Sequence, residues 1–421
     1  MSTQTNKNSA AQSGQPPEPP ASRHKPGREI SPEGRRVLLL AFGSTCCMIM
    51  GVSSIMPMVP MLAKIFGVSL PTATLVITAY ALPGIIFALP FGILADRFGR
   101  KVVLLPSLAL FCFAGTACAF APNFTVLLVL RFVQGLGGCT LSLLNTTIIA
   151  DHWSGPERAP QLPRVVGYNM TVLSIANAAY PTIGGLLAHF DWRLPFLLSV
   201  ITLPVIIMAM RTPLSKPLSA PDGGFMRSYL SGMGQAFRNK RLLALFAMTC
   251  LTFTMLYGPI ITCFPVLADQ RFHASPAAIG IGMLFSALGS AMAASRLGSL
   301  NARFGPRRLL ISSQVLYLVC LLVFPLMPGF WWLIVPVLFF GIGQGLNVPN
   351  VQTMLLQEAP PSQRASVMAV NAVLQRGGQT IAPVIFSFMM ISFGLDWGFY
   401  AGIVLALSIA ALAALTVPGK R

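Results

Sequence analysis

Long apolar runs, broken at short polar intervals, organise this chain from about residue 37 to residue 417. A bilayer core about 30 Å thick takes roughly 20 mainly apolar residues per helical crossing. By that measure twelve stretches stand out, with cores at 37–62, 72–95, 102–120, 123–150, 164–189, 194–211, 242–268, 275–298, 308–327, 330–357, 365–393 and 397–417. Backbone groups in lipid must bond within their own segment, so stretches of this length are helices; a barrel would read as short alternating strands. The pattern predicts an all-α membrane protein with twelve transmembrane helices.

Composition agrees: 54% of the 421 residues are hydrophobic and 10% are charged, with a mean hydropathy of +0.71. The formal net charge of +18 would suit a nucleic-acid partner in a soluble protein. Its placement argues otherwise. Outer segments hold only Lys64, Arg193 and Arg271, and the spans hold Arg131 and Arg376; every other Lys and Arg falls on the side of the amino terminus. That asymmetry puts both termini in the cytosol, with the lipid bilayer as partner and no need of nucleic acid. Residues 1–35, polar and Pro-rich, form a disordered cytosolic tail. The longest interruption, 212–241, is a cytosolic linker. In it Met226, Tyr229, Leu230, Met233 and Phe237 share one helical face, as in an interfacial helix. It divides a bundle at 36–211 from a second at 242–417, and 418–421 is a short cytosolic tail.

The two halves echo each other. "GILADRFGRK" from Gly92 returns damaged as "GSLNARFGPR" from Gly298, each after the second span of its half. "RFVQGLGG" from Arg131 returns as "GIGQGLNV" from Gly341, and "DWRLPF" from Asp191 as "DWGFY" from Asp396. Parallel repeats of this kind build transporters in which solute sits between the halves near the midplane. On these motifs, over roughly 35–417, the chain resembles the major facilitator superfamily, and particularly its bacterial twelve-span drug/proton antiporters. The span-5 antiporter pattern is present as "ANAAYPTIGG", keeping Pro181, Gly184 and Gly185 as a helix-packing motif, with Ala176 and Tyr180 where glycines are usual. The resemblance implies two pseudo-symmetric six-helix bundles and efflux of small amphiphilic molecules by alternating access. It also implies a monomer in a bacterial inner membrane and a proton as coupling ion. It further implies a cytosolic gate at Gly92, Asp96, Arg97, Gly99, Arg100 and Lys101, with Asp96 reaching across to the start of span 11 near Arg364.

Charges deep in a membrane normally face a cavity or a partner. Arg131 lies about 12 Å from the outer end of its helix and Arg376 about 18 Å from the inner end of its own. None of the 11 acidic residues lies at that depth; Asp151, Glu358 and Asp269 are rim candidates for a coupling acid. One reading satisfies the arginines with backbone carbonyls, Gln and water; the other has them hold an anionic group of the solute. The candidate substrate cavity is Arg131, Gln134, Asn145, Asn177, Gln344, Asn347, Asn371, Gln375, Arg376 and Gln379, with Asn371, Gln375 and Gln379 on one helical face. An organic-anion, siderophore or metabolite carrier is the alternative substrate class, and a transport-inactive sensor of the same fold the alternative from another class. The 8 cysteines and 4 histidines show no metal-like spacing, and no nucleophile–base pair or phosphate loop marks an enzyme or a cofactor site.

Overall fold

A computed structural model describes residues 30–153, 157–214, 237, 239–360 and 364–417. The expected disordered tail up to residue 29 and the linker face at Met226, Tyr229, Leu230 and Met233 lie outside these residues. Helix occupies every predicted stretch. The helices are α1 (Pro32–Phe66), α2 (Leu70–Ala81, Pro83–Ile86 and Ala88–Phe98), α3 (Arg100–Cys118) and α4 (Phe124–His152), then α5 (Leu162–Phe190), α6 (Leu194–Arg211), α7 (Lys240–Phe272) and α8 (Pro276–Phe304). After them come α9 (Pro306–Val323), α10 (Ile334–Glu358), α11 (Arg364–Phe393) and α12 (Trp397–Thr416). Ten helical stretches are long and apolar enough to cross a membrane among the described residues. Within α2 the apolar piece Leu70–Ile86 is shorter, because the helix is interrupted at Leu82 and Phe87 on either side of Pro83.

Local chemistry sets the ends. Ser31 accepts from the Gly34 amide at 3.1 Å to open α1, and Pro32 occupies the first helical position, where its missing N–H costs nothing. Asn123 caps α4, accepting from the Val126 amide at 2.9 Å. Ser275 caps α8 in the same way. The repeated loop motif folds alike in both halves: Gly99 (φ 100°, ψ 147°) and Gly305 (φ 80°, ψ 156°) join α2 to α3 and α8 to α9. A side chain there is strained by about 1–3 kcal/mol. Gly99→Ala and Gly305→Ala should therefore each lower the thermal unfolding midpoint in detergent. Gly298→Ala, helical and with open space around it, should not.

α1 packs on α4, α5 and α6, and α3 on α4 and α6; α7 packs on α10, α11 and α12, and α9 on α10 and α12. Two extensive pairings join these groups, α5 with α8 and α2 with α11, and the end of α1 adds smaller contacts with α7 and α8. Their described contacts lie toward the end carrying Gly67 and His273, here called the far end, away from Pro32. Thr78 donates to the Thr380 carbonyl at 3.1 Å, Ser387 to Thr74 at 3.2 Å, and Thr182 to the Gly280 carbonyl at 3.1 Å. Lys64 and Asp269 pair across the groups at 2.6 Å. A Cβ at Gly185 would overlap the Pro276 carbonyl, and one at Gly280 the Pro181 carbonyl, so these backbones touch. Among the described residues, no hydrogen bond or ion pair joins the two groups at the near end.

Candidate functional site

The site begins in α4, where Gly135, Gly137 and Gly138 remove side chains along the faces that meet α2 and α3. Into the space beside Gly138 fits the Tyr80 ring, which also packs on Gly51 of α1 and donates to the Met48 carbonyl at 3.3 Å. Arg131, 1% exposed, lies with its guanidinium carbon 4.6 Å from the centre of that ring. Its Nε donates to the Val76 carbonyl at 3.2 Å and its Nη1 to Gln134 Oε1 at 2.7 Å. Gln134 in turn donates to Ser199 Oγ at 3.1 Å, in space that Gly115 leaves open. Nη2 of Arg131 is buried without a partner. This nest is built wholly from α1–α4 and α6.

Arg376 sits differently. α11 presses its Gly378 against the backbone of α7, while the Arg376 side chain crosses to the other group: a Cβ on Gly84 of α2 would lie 2.6 Å from its Nη1. Gly84 follows Tyr80 by four residues on α2, so Arg131 and Arg376 meet that helix at neighbouring turns. Tyr257 lies in the π-helical stretch Leu256–Cys263 of α7, which contains Pro259, a local widening that recurs at functional sites. Arg376 is half-buried, has no ion-pair partner among the described residues, and adjoins open space at Gly377.

The other predicted cavity residues divide by burial. Asn145 donates to Thr45 at 2.6 Å and Thr45 to Asn169 at 2.8 Å, a buried chain tying α4, α1 and α5. Asn347 donates to Thr252 at 3.0 Å, tying α10 to α7. Asn371 is buried with its carbonyl oxygen unpartnered. Gln344, Gln375 and Gln379 are half-buried, and the exposed Asn177 bonds back to the Leu173 carbonyl of its own helix. The structure therefore brings Arg131 and Gln134 together and sets Arg376 against Gly84, four residues along α2 from Tyr80. Tyr80, Thr45, Ser199 and Thr252 are not marked by the sequence, because short hydroxyls and a single tyrosine on apolar faces carry no periodic signal.

In the loop motif, Arg100 is buried and pairs with Asp151 at 2.9 Å, and Lys101 donates to the Thr212 carbonyl at 3.3 Å, fastening α3 to α4 and to the end of α6. Gly92 faces Leu143, Gly99 makes the turn, and Arg97 is exposed beside the Phe98 ring. The side chains of Asp96 and Arg364 lie outside the described residues. In span 5, Pro181 is buried, Gly184 abuts Ser54 of α1, and Gly185 abuts Pro276. The three rim acids are engaged: Asp151 by Arg100, Glu358 by Arg241 at 3.9 Å and Asp269 by Lys64.

Comparison with known proteins places this architecture. A profile described as Major Facilitator Superfamily matches residues 41–271 and 259–421. The chain is 23% identical to the bacillibactin exporter of Bacillus subtilis (strain 168), over 82% of this chain and 87% of that protein. It is 27% identical to multidrug resistance protein MdtG of Proteus mirabilis (strain HI4320), over 83% and 88%. Among solved structures it is similar to the nucleoside transporter NupG, with a TM-score of 0.71 at 14% identity, covering 92% of this chain and 98% of that one.

Proposed function

The chain belongs to the Major Facilitator Superfamily, and from that premise we propose that it is a secondary transporter exporting small amphiphilic molecules by alternating access. The observation that carries the reading is the junction between α1–α6 and α7–α12, which among the described residues is bonded at one end. The pairs α5/α8 and α2/α11 meet toward the far end. This is the arrangement expected of a form closed outside and open to the cytosol, ready to load from within. Charge supports the orientation, with twelve spans and both termini in the cytosol of a bacterial inner membrane. At the far end each cation has an acid: Lys64 with Asp269, Arg271 with Asp396 at 2.9 Å, Arg193 with Asp191 at 4.0 Å. At the near end exposed cations such as Arg35, Arg36, Arg97 and Arg211 have no acidic partner among the described residues. The relatives, one named a bacillibactin exporter and one a multidrug resistance protein, support export.

A second reading concerns the solute. Arg376, half-buried and unpaired against Gly84, favours amphiphiles that carry an anionic group, an organic-anion carrier in substrate terms, with Arg131 shaping the wall through Tyr80. Proton antiport stays in the proposal through the family. An inside-negative potential by itself drives an anion outward by about 2.3 kcal/mol per charge per 100 mV. The test is flux from proteoliposomes containing the protein as a monomer, across a panel of anionic, neutral and cationic amphiphiles, with pH gradient and voltage imposed separately. Flux of amphiphiles, with anions responding to voltage alone, is the expected result. A folded protein that moves none of them is a sensor of this fold and overturns the proposal.

A further inference from the structure

We propose that the near end of the chain binds an anionic glycerophospholipid of the adjoining leaflet in a groove between α1 and α6. The groove encloses about 380 Å³ and is lined by Arg36 on one side and by Pro204, Ile207, Met208, Arg211 and Thr212 on the other. Nearby, α1 and α6 pack closely: a Cβ on Gly43 would lie 2.9 Å from Val205 Cγ2.

Three features point to a phosphate diester carrying acyl chains. First, the groove has two arginines on two helices and no acid. Glu33, the one acid in α1, is engaged by Arg158 at 3.7 Å, and α6 has none. Arg36 and Arg211 are exposed and have no hydrogen-bond or ion-pair partner among the described residues. Two guanidinium forks converging on one opening fit a phosphate better than a point charge. Second, Arg211 is free of the role its position would normally give it. A basic residue in a last helical turn can satisfy that helix's own terminal carbonyls. Here Lys101 reaches from α3 to do so, through the carbonyls of Met210 and Thr212. Third, the cations stand at the head of an apolar track. On α6, Val200, Leu203, Ile207 and Met210 are all exposed, spaced as one helical face, and on α1 Leu39 follows Arg36 by one turn at 55% exposure. A headgroup between the arginines would send its acyl chain along that track into the hydrocarbon, a combination that basic pockets between membrane helices offer.

The test uses the full chain, purified in detergent and stripped of lipid. It is titrated with phosphatidylglycerol, phosphatidylcholine of the same acyl chains, or inorganic phosphate, and bound lipid is counted by native mass spectrometry alongside the thermal unfolding midpoint. Phosphatidylglycerol should bind preferentially and raise the midpoint. The preference should fall roughly fivefold for Arg36→Gln or Arg211→Gln and roughly thirtyfold for both together. Arg35→Gln, a neighbouring cation outside the groove, should leave it unchanged. Ile207→Trp, which fills the groove and keeps both charges, should weaken binding as well. Equal binding of the two lipids, or a preference that survives the double substitution, overturns the proposal. So does inorganic phosphate matching the lipid's stabilisation, because the site is then an anion site without a place for acyl chains.

Discussion

Arg376→Gln should cut transport of anionic solutes by roughly ten- to a hundredfold and leave neutral amphiphiles nearly unchanged. The figure follows from losing a charge-assisted hydrogen bond of about 1.5–3 kcal/mol, at about 1.4 kcal/mol per tenfold. Glutamine keeps the stem to Cδ beside Gly84 and an N–H donor, while the charge and the guanidinium fork go. Arg376→Lys, which keeps the charge without the fork, should fall between the two. The contrast is Arg131→Gln. That guanidinium is enclosed by Val76, Gln134 and Tyr80, so its loss should lower the unfolding midpoint and reduce flux of all solutes alike. The measurement is initial flux against concentration in proteoliposomes, with KM and maximal rate separated for matched anionic and neutral compounds. If Arg376→Gln slows both classes equally, the arginine is part of the scaffold and the anion reading is lost.

These two arginines also show how far the sequence reaches. Their depth is legible from helix rise alone, because the spans announce themselves by length and apolarity and their ends by Ser, Asn, Pro and Gly. The echo at Gly99 and Gly305 was visible as a repeat and returns as the same backbone conformation twice. What the sequence does not carry is rotation. Arg131 and Arg376 look alike as isolated charges in apolar runs, yet one is enclosed and the other crosses between the groups. Their difference is decided by glycines on other helices: Gly138 and Gly51 make room for Tyr80, which stacks on Arg131, whereas Gly84 makes room for Arg376 itself. Long-range complementarity of that kind leaves no periodicity in either partner.

The loop motif teaches the same lesson from its charges. Read alone, its cations supply inward positive charge or a gate. In the fold Arg100 and Lys101 are spent within α1–α6, on Asp151 and on the carbonyls ending α6. The seam between α2 and α11 was likewise unreadable. Thr74 and Thr78 lie four apart and face Thr380 and Ser387, but hydroxyls at such spacing occur on many helix faces, and only the partner helix gives them meaning.

Gly185→Val tests that junction most severely. The Cβ would meet the backbone carbonyl of Pro276, which no rotamer change can move, so α5 and α8 must part by about 1 Å, at a typical overpacking cost of about 1–3 kcal/mol. Because the strain exists only while the far end is closed, it acts as a bias on the conformational equilibrium. At about 1.4 kcal/mol per tenfold, the ratio of closed to open forms should fall roughly five- to a hundred-and-fiftyfold. Gly280→Val, meeting the Pro181 carbonyl from the opposite helix, should act in the same sense. Gly184→Val is the discriminating control. Its Cβ would meet Ser54 within α1–α6, so it should impair folding instead of shifting conformers. Spin labels at His189→Cys and His273→Cys, both exposed toward the far end, give the readout. Their separation should lengthen in Gly185→Val and Gly280→Val, with flux reduced and the unfolding midpoint nearly kept. An unchanged distance with unchanged flux would mean that the α5–α8 contact is permanent packing, and the gate would have to be sought between other helices.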